Sequence, residues 1–417
     1  MLKSMNNTNP EDQINRSIES LVQSRFNIPA KVTNRHHLQE VNYQSRTGRP
    51  AWTDVSRVDL ELLNHSNRVI YVIQKSAFMD LEGVVRESSA LNLFSHSLEE
   101  VDRKHIPYYY GKIDNHIIKE FIFGDSLDSI LSLIQNRTES NIRDSQQDQP
   151  EQIKQEASKR LNFLEINYKN YFAAALKLAT LLHSSSQLHL LRNPTDHWLQ
   201  LEPYNVINDF KKYLSNIVGI ESTEKLQEID EICKLFGSTP LPYEMCRGTN
   251  EERFSLINGD FRQANILVTP PFEDTKEFID RLETEIINSE EIFEGMKITD
   301  FNKSCIANPN IDIVDIFENS KLVPYEHTNL LDPLLESLVE YRVYYEQRKP
   351  KAFETNDIKR DLLNFAPIRL IRGASASKTN RISYLQTAFN VMDKLPIYKS
   401  ISKRLSKLLV SQYPSLQ

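Results

Sequence analysis

Between Ser56 and Lys75 the apolar residues fall on every second position, and this alternation constrains the fold more than any other stretch. In Ser56-Arg-Val-Asp-Leu-Glu-Leu-Leu63, Val58, Leu60 and Leu62 face one way while Arg57, Asp59 and Glu61 face the other. Successive side chains of a strand point to opposite faces, so the pattern predicts a half-buried strand. Asn64-His-Ser-Asn67 reads as a turn, and Arg68-Val-Ile-Tyr-Val-Ile-Gln-Lys75 as a second, β-branched and aromatic strand. Residues 55–75 therefore predict an antiparallel hairpin, joined by an earlier strand near 38–45.

The surroundings extend this into a small domain over 16–123. Ile18, Leu21, Val22 and Phe26 share one helical face within 16–26, and residues 1–15 read as a disordered tail. A helix over about 82–96 buries Val84, Ala90, Leu91 and Phe94, and strands follow at 108–110 and 116–123. From 124 to 417 the pattern is mainly helical. Tyr168, Phe172, Ala175, Leu176, Ala179 and Leu182 make a wide apolar stripe, and further helices are predicted near 203–217, 223–236, 327–347 and 356–371. Residues 136–160 are polar enough to read as an exposed, partly disordered insertion. Only three short strands stand out in this part, at 255–257, 266–268 and 296–299.

Those strands bracket the residues with chemistry in them. Leu256-Ile-Asn-Gly-Asp-Phe-Arg-Gln-Ala-Asn-Ile-Leu-Val268 sets an aspartate five residues before an asparagine, with a strand on each side. Lys297-Ile-Thr-Asp-Phe-Asn302 then sets a second aspartate after a short strand. Phosphoryl transfer needs such a set: one carboxylate to orient the acceptor hydroxyl, and an amide oxygen plus another carboxylate to hold a cation on the nucleotide phosphates. Oxygen ligands suit Mg2+.

The ordered motifs resemble those of the aminoglycoside phosphotransferase and choline kinase group: H-G-D-x-x-x-x-N-I-L, then I-x-D-F or I-x-D-W, then N-P-x-x-D. This chain has Asn258-Gly-Asp-Phe-Arg-Gln-Ala-Asn-Ile-Leu267, Ile298-Thr-Asp-Phe301 and Asn308-Pro-Asn-Ile-Asp312. The resemblance spans about 36–320. It implies an α+β, two-lobed protein kinase-like fold, with a small antiparallel β lobe carrying one helix and a larger, mainly helical lobe. It also implies ATP and Mg2+ as cofactors, Asp260 as catalytic base, Asn265 and Asp300 as metal ligands, and Asp312 as a structural tie to the catalytic loop's backbone.

In the small domain a kinase needs a strand lysine for the phosphates and a helix glutamate to hold it. Lys75 ends the second strand, and Glu87 lies in Arg86-Glu-Ser-Ser-Ala-Leu91, similar to the family's R-E-x-x-x-L, with Glu82 as its competitor. Lys119-Glu-Phe-Ile-Phe-Gly-Asp-Ser-Leu127 resembles the interlobe hinge, which places backbone contacts to adenine at Glu120, Phe121 and Ile122.

Three positions depart from the family. Asn258 replaces the histidine before Gly-Asp, an architectural position. There is no G-x-G-x-x-G loop; Ser45-Arg-Thr-Gly-Arg-Pro-Ala-Trp-Thr53, with Gly48 alone, is the candidate phosphate loop or else a plain turn. The segment 269–297 is an insertion with nine acidic residues from Glu273 to Glu294 and a helix spaced by Phe278, Leu282 and Ile286. It reads as a solvated acidic face, or more sharply as a lip for a cationic acceptor.

The expected partner is a small-molecule hydroxyl compound, for which Trp198, Tyr204, Tyr341, Tyr344 and Tyr345 are candidate lining residues. A net charge of −7 suits a cationic acceptor and argues against non-specific nucleic-acid binding. The three cysteines, Cys233, Cys246 and Cys305, have no metal-ligand spacing and fit a reduced, cytoplasmic protein. No apolar run is long enough for a membrane span, so no membrane partner is expected. A protein kinase is the alternative enzyme, disfavoured because Asp300 is followed so soon by Asn308-Pro309 that no activation loop fits. A nucleotide-binding pseudokinase scaffold is the non-enzymatic alternative.

Overall fold

The computed structural model of the 417-residue chain describes residues 10–38, 53–63, 69–77, 81–146, 150–192, 205–219, 222–246, 255–317, 335–336, 338–339, 355–377, 379–410 and 412–416. The candidate phosphate loop up to residue 52, the 64–67 turn, and Trp198, Tyr204, Tyr341, Tyr344 and Tyr345 lie outside the described residues, as does nearly all of the 327–347 helix. The chain forms two compact units: Met1–Ile122 with Phe301–Lys303, and Phe123–Asp300 with Ser304–Gln417.

The first unit contains α1 (Pro10–Phe26), β1 (Ala30–His37), β2 (Thr53–Leu62), β3 (Val69–Ala77), α2 (Leu81–Ser97), β4 (Tyr109–Ile113) and β5 (His116–Glu120). The five strands make one antiparallel sheet in the order β1-β2-β3-β5-β4. Val58, Leu60 and Leu62 of β2 do turn inward. They form a core with Val72, Tyr110, Ile118 and the α1 residues Ile18 and Val22. Burying each large aliphatic side chain there stabilises the unit by about 1.5–3 kcal/mol.

Two boundaries differ from those read in the sequence. The helix reaches back from 16 to Pro10, because proline at a first helical position gives up an N–H that has no partner anyway. The earlier strand expected near 38–45 falls, but for Leu38, outside the described residues; the described strand that pairs with β2 is β1. It is an edge strand with a bulge between Val32 and Asn34 and a mixed burial pattern, so it carries no clean alternation. β5 ends at Glu120 and not at 123.

The second unit is mainly helical. β6 (Asp125–Ser126) leads into α3 (Leu127–Gln146) and the 42-residue α4 (Glu151–Arg192), which pack along each other. Phe172, Ala175, Leu176, Ala179 and Leu182 of the expected stripe are buried. The chain continues through α5 (Val206–Val218), α6 (Thr223–Gly237), α7 (Leu241–Cys246), β7 (Ser255–Ile257) and β8 (Ile266–Val268). Then come α8 (Thr275–Thr284), α9 (Ser289–Glu294), β9 (Met296–Ile298), β10 (Cys305–Ala307), α10 (Asn310–Phe317), α11 (Thr355–Ala376), α12 (Arg381–Lys394) and α13 (Lys399–Val410). β7 pairs with β10, and β8 lies between β6 and β9. The α+β organisation is the one expected: an antiparallel sheet with a helix between its strands, then a larger, mainly helical part. No helix among the described residues is long and apolar enough to cross a membrane.

Where they are described, both insertions contain helix; residues 136–160, read from the sequence as an exposed, partly disordered insertion, are mostly exposed, and their described parts are helical. Residues 136–160 extend α3 and open α4, and Arg137, Asn141 and Arg160 reach the other insertion at Glu283. Arg137 Nε donates to Glu283 Oε1 at 2.7 Å, and Asn141 Nδ2 donates to the same oxygen at 3.2 Å. Asn167 further along α4 donates to the carbonyls of Leu282 and Glu285 and accepts from the Ile287 N–H. In the acidic insertion Phe278 and Leu282 are buried, but Ile286 is 55% exposed. The helix stops at Thr284, and Ile287 goes inside instead. Four of the nine carboxylates are ion-paired: Glu283 to Arg137, Glu285 and Glu291 to Arg281, and Glu290 to Lys177. That pairing offsets part of the charge an acidic lip would use.

Candidate functional site

In the first unit the chemistry gathers on Glu87. β3 is a central strand, so Lys75 is 7% exposed despite its charge, and α2 turns Glu87 inward at 0% exposure. Lys75 Nζ donates to Glu87 Oε2 at 2.7 Å. Glu82 is not the partner; it is exposed and pairs with Arg86 one turn away. A second lysine, unforeseen from the sequence, completes the group: Lys119 Nζ of β5 donates to Glu87 Oε1 at 2.6 Å. Burial alone would raise the Glu87 carboxyl, but the charges of Lys119 and Lys75 and their hydrogen bonds outweigh it and hold the group down at about 2. Glu87 is therefore a fixed anion tying two strands to one helix.

The hinge candidates separate. The Glu120 N–H donates to the Tyr108 carbonyl at 2.8 Å and the Phe121 N–H to the Tyr71 carbonyl at 3.0 Å. Both donors are spent within the unit. Ile122 makes no such backbone–backbone bond among the described residues.

In the second unit Asp260, Asn265 and Asp300 lie in one hydrogen-bonded network. The loop starts at the end of β7, turns at Gly259 with φ +74°, and runs through a short 3-10 turn (Gln263–Asn265) into β8. That φ favours glycine, which explains the Gly before Asp260. Asp312 on α10 pins the turn from beneath. Its Oδ2 accepts from the Asn258 N–H at 2.8 Å and its Oδ1 from the Gly259 N–H at 2.9 Å, while His183 Nε2 on α4 bonds the same Oδ2 at 2.9 Å. Asp312 thus ties the loop's backbone, as the resemblance implies.

Asn258, in the usual histidine's place, also does architectural work. Its Oδ1 accepts from the Asp260 N–H at 3.1 Å and its Nδ2 donates to the Asp300 carbonyl at 3.0 Å. The bond to Asp300 helps hold a residue whose φ of +57° costs a non-glycine about 1–2 kcal/mol. Asn265 is tied likewise: its carbonyl accepts from the Thr299 N–H and Oγ1, and its Nδ2 donates to the Asp260 carbonyl at 2.9 Å. With the amide nitrogen committed, the amide oxygen is the atom Asn265 can offer a cation. Asn265 Oδ1 and the Asp300 carboxylate are hard oxygen donors. They suit Mg2+, which takes one or two protein ligands alongside phosphate and water. No group of three or more His, Cys, Asp or Glu side chains able to hold a metal occurs among the described residues.

Asp260 itself is 2% exposed and lies between two guanidiniums. Arg262 Nη2 donates to Oδ2 at 3.1 Å, with Nε 2.7 Å from Oδ1. Arg372 Nη2, from α11, donates to Oδ1. Behind them, Arg369 makes a fork to the fully buried Asp315. Burial pushes the Asp315 carboxyl up to about 6, against the pull of Arg369. None of Arg262, Arg369, Arg372 or Asp315 was foreseen. The signal was present: Pro367-Ile-Arg-Leu-Ile-Arg-Gly373 and Ile311-Asp-Ile-Val-Asp-Ile-Phe317 set charges in otherwise apolar helices, and a buried charge needs a partner.

No family model matches the chain, and no curated protein matches it in sequence. Among solved structures it is similar to choline kinase LicA from Streptococcus pneumoniae, with a TM-score of 0.42 and 11% identity over 96% of this chain and 99% of that one. It is also similar to a choline kinase from Cryptosporidium parvum Iowa II, with a TM-score of 0.40 and 11% identity over 90% and 91% of the two chains. A third is the macrolide 2'-phosphotransferase MphH from Brachybacterium faecium, with a TM-score of 0.40 and 9% identity over 90% and 97%.

Proposed function

We propose that this protein is a phosphotransferase that moves the γ-phosphoryl group of ATP to a hydroxyl of a small molecule. The observation that carries the reading is the single network linking Asp260, the amide of Asn265 and the backbone of Asp300 through Asn258 and Asp312. Such a loop holds a base and two oxygen donors in fixed relation before any ligand arrives, and phosphoryl transfer depends mostly on positioning and charge neutralisation.

In this reading Asp260 accepts the hydrogen bond of the acceptor hydroxyl. As the acceptor oxygen bonds to the γ-phosphorus, the bond from that phosphorus to the β–γ bridging oxygen breaks. The bonding electrons leave on ADP, and the hydroxyl proton passes to Asp260 and then to solvent. Asn265 and Asp300 would hold Mg2+, which when bound neutralises phosphate charge. Lys75, steadied by Glu87, would contact nucleotide phosphates, and the Ile122 N–H is the hinge donor assigned to the base. An amino alcohol, an amino sugar or a related natural product is the acceptor class.

The test is transfer of labelled γ-phosphate from ATP to a panel of amino alcohols, aminoglycosides and polyhydroxylated natural products, with Mg2+ present and then chelated. Mg2+-dependent label on at least one hydroxyl compound is the expected result. Tight nucleotide binding with no transfer to any acceptor or to water would instead identify a pseudokinase scaffold.

A further inference from the structure

Glu87 gives one oxygen to each of two strands. Its Oε2 accepts from Lys75 Nζ at 2.7 Å and its Oε1 from Lys119 Nζ at 2.6 Å. The register explains why both lysines arrive there. β3 and β5 pair Ile73 with Lys119 and Lys75 with Ile117, so Lys75 and Lys119 stand on the same face of the sheet, one row apart. Lys75, Lys119 and Glu87 are 7%, 6% and 0% exposed, and Ile117 beside them is fully buried. β5 is itself held on both sides, by β3 and by β4, so Lys119 is anchored between two neighbours. Burial works against the ionised Glu87, and of the two cations that overcome it Lys119 has the stronger pull.

A lysine that contacts nucleotide phosphates must share or give up its bond to the carboxylate that steadies it. With Lys75 as sole partner, phosphate binding would leave a fully buried carboxylate uncompensated, and an unpaired buried charge is costly. That cost would come off the nucleotide affinity. Lys119 removes it, because it keeps hold of the other oxygen and carries the compensating charge.

We propose that Lys119 is a positioning residue for phosphate binding: it keeps Glu87 paired, and α2 tied to the sheet, when Lys75 turns to the nucleotide. This rests on the reading of Lys75 as a phosphate contact. Lys119 acts through Glu87 and needs no contact with the nucleotide itself.

The Kd for MgATP, measured by calorimetry, is compared for wild type, Lys119→Met and the double variant Lys119→Met/Glu87→Gln. Methionine leaves Glu87 with Lys75 alone, so binding should weaken at least about tenfold. In the double variant glutamine still offers Lys75 an acceptor but has no charge to strand. It should bind MgATP at least about threefold more tightly than Lys119→Met. A merely structural lysine would not be rescued by taking away the charge of its own partner. Wild-type affinity in Lys119→Met, or a double variant that binds no more tightly than Lys119→Met, overturns the proposal.

If either variant does not fold, the wild type decides through the ammonium nitrogen resonances of the two lysines, recorded with and without MgATP. The Lys75 resonance should move on binding while that of Lys119 stays in place. Movement of both, or of Lys119 alone, overturns the proposal. A wild type that does not bind MgATP, or binds it with neither resonance moved, removes the phosphate role of Lys75 and this inference together. A moved Lys75 resonance with unchanged affinity in Lys119→Met removes only the role of Lys119.

Discussion

Each of the two units buries a carboxylate of its signature motif between two cations, and they do it differently. Glu87 is held by Lys75 and Lys119, each through one ammonium bond from a neighbouring strand. Asp260 is held by Arg262 and Arg372, and Arg372 also grips the Gly259 carbonyl and Asp315. An ammonium is a mobile point charge, whereas a guanidinium is a rigid fork that fixes direction as well as charge. The lysine cluster can therefore release one arm, Lys75, and remain paired through Lys119. The comparison separates a cluster held by two point charges from one held partly by a guanidinium that also grips the loop's backbone at Gly259.

The largest expected effect is at the proposed metal ligands. Asp300→Ala should abolish Mg2+-dependent turnover and leave only Mg2+-independent nucleotide binding, read by titration with and without chelator. Wild-type turnover would remove Asp300 from the metal site.

Next comes the test of redundancy in the lysine cluster. Glu87→Ala strands two buried ammonium groups, and breaking a buried pair in this way typically costs about 3–5 kcal/mol. Lys75→Met and Lys119→Met each leave Glu87 one partner and should cost distinctly less in urea unfolding. Equal losses for all three variants would mean that neither lysine can stand in for the other.

The same cluster predicts a pH dependence. The folded Glu87 carboxyl is depressed from 4.5 to about 2. Its stabilisation is thus fully present above about 4.5 and is lost as the pH falls toward 2. The loss is at most about 3 kcal/mol, from 1.36 kcal/mol per unit. Glu87→Gln should be less stable than wild type at pH 7, with the gap closing between pH 4.5 and 2. A gap constant across that window would contradict the pairing.

The smallest effect is expected in the acidic insertion. Neutralising Glu285 and Glu291, whose exposed pairs with Arg281 are 3.2 and 2.8 Å, should change stability by less than about 1 kcal/mol. The KM for a cationic acceptor should stay within about twofold at low salt. A several-fold rise that disappears at 0.15 M salt would restore the acidic lip.

What could be read in the sequence follows from how local its cause is. The β2–β3 hairpin was legible because one face of each strand is buried and alternation records that directly. The motif loop was legible because Gly259 meets a backbone requirement and Asp260, Asn265 and Asp300 lie close together along the chain. Arg372 was not, since it reaches Asp260 across 112 residues and nothing in its helix says which carboxylate it meets. Lys119 was hidden similarly: a lysine in Ile117-Ile-Lys-Glu120 shows that a buried strand carries a charge, but not that α2 supplies its partner. In the 136–160 segment the exposure was legible from its polarity, but the helical spacing was not, and neither was the reach of Arg137 and Asn141 to Glu283, 146 and 142 residues along the chain.

The central claim is that Asp260 is the base of a phosphotransferase whose other parts bind the nucleotide independently. Its most direct test compares wild type with Asp260→Asn in two measurements on the same preparations: MgATP binding by calorimetry, and transfer of labelled γ-phosphate to the best hydroxyl compound found. The account predicts a Kd for MgATP within about threefold of wild type and transfer reduced at least about a hundredfold. Transfer within a few-fold of wild type, with binding intact, would contradict it.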